Sequence, residues 1–174
     1  MIYSASGSGW AYDTLISFDI SSIPSNRIIK SAVLELYYYE WVDTNPVNRD
    51  LNLYKVTNEW DEDTVTWNTQ PSYASQPTTY SSVPSSVGTW MEWDVTVDVQ
   101  DFVNGIEDNY GWKITDDNYW GTYDIPRIYF RTKEYESYIP YLEIETENGG
   151  NGFKTNFIIG KIDNLVENYL SSFP

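Results

Sequence analysis

An all-β sandwich is the fold the sequence predicts, and two observations carry that expectation. Apolar residues alternate with polar ones over short runs, and clusters of Ser, Asn, Asp, Gly and Pro separate those runs. Many short strands with turn signals between them argue for two stacked sheets rather than a parallel sheet with helical crossovers. At 174 residues, one principal domain with a sizeable buried core is expected.

Ile16, Phe18 and Ile20 alternate with Ser17 and Asp19, and Ser21-Ser22 opens a turn before Pro24. Ala32, Leu34, Leu36 and Tyr38 form one face of the next strand, and Val33, Glu35, Tyr37 and Tyr39 form its other. Asn45-Pro46 starts a turn, and Leu51 to Thr57 reads as a further strand. Residues Pro71 to Gly88, rich in Ser, Thr, Pro and Tyr, read as a loop around one short strand, Thr78 to Val83. One helix follows: Asp94 or Thr96 can cap it, Val95, Val99, Phe102 and Val103 keep helical spacing, and Gly105 suits the C′ position. It is expected to plug one end of the sandwich. Strands resume at Tyr110 to Thr115, Ile125 to Lys133 and Ile139 to Thr146.

The sandwich is expected to span residues 1–147, followed by a flexible Gly/Asn linker at 148–152 and a tail at 153–174. In the tail, Phe157, Ile158 and Ile159 form an apolar, strand-like run ended by Gly160. Ile162, Leu165, Val166, Tyr169, Leu170 and Phe173 then follow the stripe of an amphipathic helix. So short a helix is marginal alone, so the tail is expected to dock as an added strand or a docked helix. A neighbouring subunit is the favoured partner, because added strands readily join chains.

Composition narrows the function. The formal net charge is −16, which disfavours nucleic acid, since phosphate binding needs clustered Lys and Arg. Anionic membrane surfaces are disfavoured for the same reason, and no apolar run approaches the roughly 18 residues of a spanning helix. After Glu147 the ionisable side chains are Lys154, Lys161, Asp163 and Glu167, so the whole acidic excess lies on the sandwich. Cys and His are both absent, which removes thiol catalysis and any His-based triad or general base. No export signal is visible at Met1, so a secreted form would need a signal outside these residues. Sixteen Tyr and eight Trp outnumber six Phe, so much of the aromatic surface has a polar handle, suited to interfaces and sugar stacking as well as to cores.

The segment VTNEWDEDTVTWNTQP, from Val56 to Pro71, places Trp60 and Trp67 around an acidic turn and a Thr-Val-Thr run. With TLISFDISSIP from Thr14, IKSAVLELYYY from Ile29, MEWDVTVDVQDFVNG from Met91, YGWKI from Tyr110, IPRIYFRTKE from Ile125 and YIPYLEIETE from Tyr138, it covers nearly all of residues 2–147. In this set of blocks the chain resembles the disaggregatase-related repeat, or DNRLRE domain, of archaeal and bacterial cell-surface proteins. The resemblance implies a jelly-roll β-sandwich serving as a non-catalytic extracellular or cell-surface module, linked in some relatives to polysaccharide binding. It transfers no catalytic residue. Such relatives usually carry a leading strand before the block that here starts at Ile2, which implies an open sheet edge for the tail to cover.

Trp60, Trp67 and Trp93 are assigned to the core and its rim. Ligand candidates are aromatics on loops or polar strand faces, because aromatic rings stack on the C–H face of a pyranose while carboxylates and amides bind its hydroxyls. Tyr119, Trp120 and Tyr123 fall in one turn. Tyr37, Tyr39 and Trp41 alternate along one strand and form either a flat platform or the lining of a second buried face. Arg127 and Arg131 flank Tyr129 and suit an acidic sugar, or else pair with Glu143 and Glu145 on the next strand. Calcium needs six to eight oxygens. At most one structural ion is expected, near Asp108 or near Asp116 and Asp117, against the alternative that these are solvated loops; no other cofactor is required. Two further functions stay open: a structural subunit of a surface layer, sheath or filament that self-associates through the tail, and a carboxylate-dependent polysaccharide hydrolase or lyase.

Overall fold

The computed structural model describes residues 2–6, 9–119, 126–148, 154–159 and 162–166, with side chains described for 13–118 and 126–147. Two antiparallel sheets stack face to face. The first runs in the order β1 (Ile2–Ser6), β2 (Gly9–Phe18), β7 (Trp112–Thr115), β4 (Asp50–Lys55) and β5 (Thr79–Ser82), with β11 (Ile162–Val166) also on β2. The second runs β10 (Lys154–Ile159), β9 (Tyr141–Asn148), β3 (Arg27–Val42) and β6 (Thr89–Asp94), with β8 (Arg127–Phe130) also on β3. The chain passes repeatedly between the sheets, the over-and-back wiring of a jelly-roll sandwich.

Period-two alternation fills the core. Leu34, Leu36 and Tyr38 of β3, Met91 and Trp93 of β6, and Leu142 and Ile144 of β9 face Ile16 and Phe18 of β2, Leu51 and Leu53 of β4, and Trp112 and Ile114 of β7. The two buried indoles satisfy their N–H groups: Trp93 Nε1 donates to the Leu51 carbonyl at 3.0 Å and Trp112 Nε1 to Asp98 at 2.8 Å. A lone buried donor would cost about 1–3 kcal/mol, so the Trp93 bond ties the second sheet to the first and the Trp112 bond ties the first sheet to the helix that carries Asp98. The helix α1 (Thr96–Val103) packs against the start of β3. Asp94 accepts the Thr96 backbone N–H at 3.0 Å and its hydroxyl at 2.6 Å, which holds the Asp94 carboxyl below its usual range. Gly105 follows the helix with φ +66°, as expected of a C′ residue. The strand β6 just before it was not among the expected elements, since its Met-Glu-Trp-Asp run abuts the helical spacing.

The motif segment has its own place. Residues 56–78 fold over the outer side of the first sheet, where Val65, Trp60 and Trp67 join Leu15, Val56 and Tyr110 in a second apolar cluster. Both faces of β2 and β7 are therefore covered, which explains why every residue of β7 is buried. Beneath this layer Lys113 and Asp13 form a buried ion pair at 2.9 Å. Gln70 accepts from Lys113 Nζ at 3.3 Å, and the Tyr73 ring lies 4.0 Å from it.

The tail differs from expectation in one respect. Ile162–Val166, expected to open an amphipathic helix, is the strand β11, and it pairs with Phe18 through Leu15 of β2. A helix of this length gains little by itself, whereas a strand placed on β2 satisfies backbone groups on both strands, and Ile162 and Val166 are β-branched. The remaining stripe residues Tyr169, Leu170 and Phe173 lie outside the described residues. The apolar run is a strand as expected: β10 sets Phe157, Ile158 and Ile159 opposite Ile144, Glu143 and Leu142 of β9. Tail strands thus extend both sheets.

Asp13→Asn, which keeps the shape but strands the Lys113 ammonium, should cost about 3–5 kcal/mol in chemical denaturation, while Asp13→Leu with Lys113→Met should recover most of it. Equal stability of Asp13→Asn and the parent would show that the pair is solvated. Deleting all residues after Gly150 should lower the melting temperature and promote association through the bared edges of β9 and β2. An unchanged melting temperature and a monodisperse sedimentation profile would contradict that.

Candidate functional site

The outer face of the second sheet carries an aromatic surface. Antiparallel register sets Tyr37 opposite Trp90, and Glu35 opposite both Glu92 and Tyr141. Paired residues share a face, so these side chains emerge together on the side away from the core. Tyr138, from the turn before β9, stacks on Tyr37 with centroids 4.2 Å apart and planes 19° apart. Trp90 meets Tyr37 edge-on at 5.2 Å and Tyr141 edge-on at 5.0 Å. Further along β3, Arg131 lies between two rings, 4.4 Å from Tyr39 and 4.2 Å from Tyr135. Tyr129 adds a fourth group at 6.3 Å from Tyr39.

Backbone strain marks the exposed end of this surface. Tyr138 has φ +59° and is 53% exposed. A bulky residue in the left-handed region costs roughly 1–2 kcal/mol relative to its usual conformation, and such residues persist where the surroundings over-determine them. Here the stack on Tyr37 holds it. The result is a tyrosine face presented to solvent at a fixed angle.

The other end is acidic. Glu35 is only 7% exposed and accepts a hydrogen bond from the Tyr141 hydroxyl. Burial pushes the Glu35 carboxyl above its usual range; the Tyr141 hydrogen bond opposes that, and the neighbouring Glu92 and Glu143 charges reinforce it. Burial also pushes the Tyr141 hydroxyl up, aided by Glu35. Carboxylates directly opposite each other on a sheet are destabilising, so Glu35 and Glu92 weaken the sandwich at neutral pH.

The structure brings together only part of the set expected from sequence. Tyr37 and Tyr39 share the outer face. Trp41 does not stand beside them: a register shift between Tyr38 and Glu40 sets Trp41 opposite Ile128, a core residue, so the indole emerges at the rim on the opposite side. Arg127 is ion-paired to Asp43 at 2.6 Å, and Arg131 is stacked as described. Tyr119 ends a short 3-10 turn, Asp117–Tyr119, with its side chain outside the described set, and Trp120 and Tyr123 lie outside the described residues. Trp90, Tyr135, Tyr138 and Tyr141 were missed. The parity of Trp90 against core-facing Met91 and Trp93 signals an outward ring, but its partners follow only from cross-strand register.

The acidic loops are already engaged. Asp116 accepts from the Arg49 guanidinium, Nε at 2.6 Å, and from the Asn118 backbone at 3.1 Å. Asp117 accepts from Asn52 at 2.6 Å and from Tyr54, whose hydroxyl is pushed up to about 12 by burial and this contact. Asp108 accepts from the Tyr110 hydroxyl at 3.1 Å. Among the described residues no three carboxylates converge as a metal cage, and no helix is long and apolar enough to cross a membrane.

A β-sandwich with a solvent-facing aromatic sheet presents the kind of surface on which sugar rings stack. The chain belongs to carbohydrate-binding module family 96, whose family model matches residues 1–146. The family points to binding rather than catalysis. Comparison with curated proteins gives no match.

Glu35→Gln retains an acceptor for Tyr141 and removes the buried charge. A carboxyl raised in the folded state withdraws stability as pH climbs from its ordinary value of 4.5 through the raised one. The variant should therefore match the parent near pH 4 and melt higher at pH 7.5, by about 2–4 °C if about 1 kcal/mol of repulsion is relieved. Parallel melting curves across that window would refute the assignment.

Proposed function

We propose that this protein is a non-catalytic, extracellular or cell-surface module whose polysaccharide-binding surface is the outer face of the second sheet. The observation that carries this reading is Tyr138, strained, half exposed and stacked on Tyr37. With Trp90 and Tyr141 it offers a broad aromatic surface for the C–H faces of successive sugars, and Glu92 and Glu143 offer hydrogen-bond acceptors for their hydroxyls. Arg131, set between Tyr39 and Tyr135, extends the surface with a guanidinium suited to a sugar carboxylate. Family membership and the blocks shared with the disaggregatase-related repeat support the same reading, including its cell-surface setting. The alternative, a structural subunit assembled through the tail, has less support, because β10 and β11 lie on sheets of their own chain.

Tyr138→Gly separates binding from folding. Glycine relieves the left-handed backbone but forfeits the ring stack, worth about 0.5–1.5 kcal/mol, so the melting temperature should change little. Retardation in affinity gels containing neutral or acidic polysaccharides should fall about tenfold or more. Undiminished retardation would move the binding surface elsewhere, and no retardation of the parent on any polysaccharide would remove the function.

A further inference from the structure

The first sheet carries a second concavity, a cleft of about 450 Å³ on the opposite side of the sandwich from the aromatic face. It opens where the end of β2 and the turn Asp19–Ser21 meet Trp60 and the loop Asn109–Tyr110. The volume lies within the range of small-ligand sites, about 300–1,000 Å³.

Its walls are fixed from within. Trp60 Nε1 donates to the Tyr110 carbonyl at 2.8 Å, and Asn109 Nδ2 donates to the Phe18 carbonyl at 2.8 Å. Asn109 Oδ1 in turn accepts from the Gly111 backbone at 3.2 Å. Gly111 has φ +76°, and a Cβ there would lie 2.1 Å from the Ile16 carbonyl oxygen, so this loop lies directly against β2. Trp60 rests on the Leu15, Val56 and Val65 cluster. Both rings are therefore in place before any ligand arrives, which lowers the ordering cost of binding.

The chemistry of the cleft selects its occupant. Trp60 and Tyr110 supply rings, Glu59 and the exposed Asp19, whose Oδ1 accepts from the Ser21 backbone at 2.9 Å, supply carboxylates, and no cationic side chain is among the described residues that line it. Among the described lining residues an anionic sugar would meet two carboxylates and no cation. We propose that this cleft is a second glycan subsite, taking the end of an uncharged polysaccharide, with a pyranose against the rings and its hydroxyls donating to Asp19 and Glu59. Together with the aromatic face, on whose assignment this last consequence rests, the module holds two glycan segments on opposite sides and links them.

The test is calorimetric titration of the full chain with cellohexaose, mannohexaose and laminarihexaose. Ser21→Trp, at an exposed turn position, fills the cleft mouth; Glu59→Ala removes an acceptor without touching the cluster. For at least one hexasaccharide, both variants should weaken binding about tenfold or more while Tyr138→Gly leaves that component in place. Binding by Ser21→Trp and Glu59→Ala equal to the parent overturns the subsite, as does failure of all three sugars to bind the parent. If instead Tyr138→Gly alone loses affinity, the aromatic face stands and the cleft does not.

Discussion

Register along β3 is the constraint on which the rest depends. This one strand of sixteen residues takes β6 on one flank and both β9 and β8 on the other. Its alternation sends Leu34, Leu36 and Tyr38 inward and Glu35, Tyr37 and Tyr39 outward. A slip of one residue would exchange the two sets, burying charge and exposing leucines. The irregularity between Tyr38 and Glu40, one of two along β3, shows what such a shift does locally: it turns Trp41 to the other side. Core and aromatic surface are two readings of the same strand, so neither can be altered alone.

The first sheet solves a different problem. Its outer side is covered by residues 56–78, so β2 and β7 must present apolar or paired groups on both faces. Leu15 does so by packing with Val56 and Val65, and Asp13 and Lys113 do so by pairing with one another. A buried pair is weak evidence for stability in itself, but its geometry ties β2, β7 and the covering segment together through Gln70 and Tyr73. The same covering segment positions Trp60 over the end of β2, so the motif that is most informative in the sequence also shapes a concave surface.

Electrostatics divides the two sides unequally. The outer face of the second sheet gathers Glu35, Glu92 and Glu143 near one end and Arg131 near the other, with aromatic rings between them. Elsewhere some carboxylates meet local donors, as Asp116 does with Arg49 and Asp98 with the Trp112 indole. The like-charged group Glu35, Glu92 and Glu143 thus stands beside the aromatic surface, where stability is given up.

By itself the sequence determined the sandwich, because alternation and turn chemistry are local and each strand declares which residues face the core. It also determined the helix and its Gly105 terminator, although Val95 takes the N-cap position expected of Asp94 or Thr96, and the packing role of Trp60, Trp67 and Trp93. Tertiary structure alone decided the site. Tyr37, Trp90, Tyr138 and Tyr141 come from three separate stretches of chain, and only cross-strand register brings their rings within stacking distance. It also decided the state of the tail, since Ile162–Val166 has helical spacing but sits beside a strand edge whose hydrogen-bonding groups favour extension. Local pattern specifies which face of an element is apolar; pairing between distant segments specifies what stands beside it.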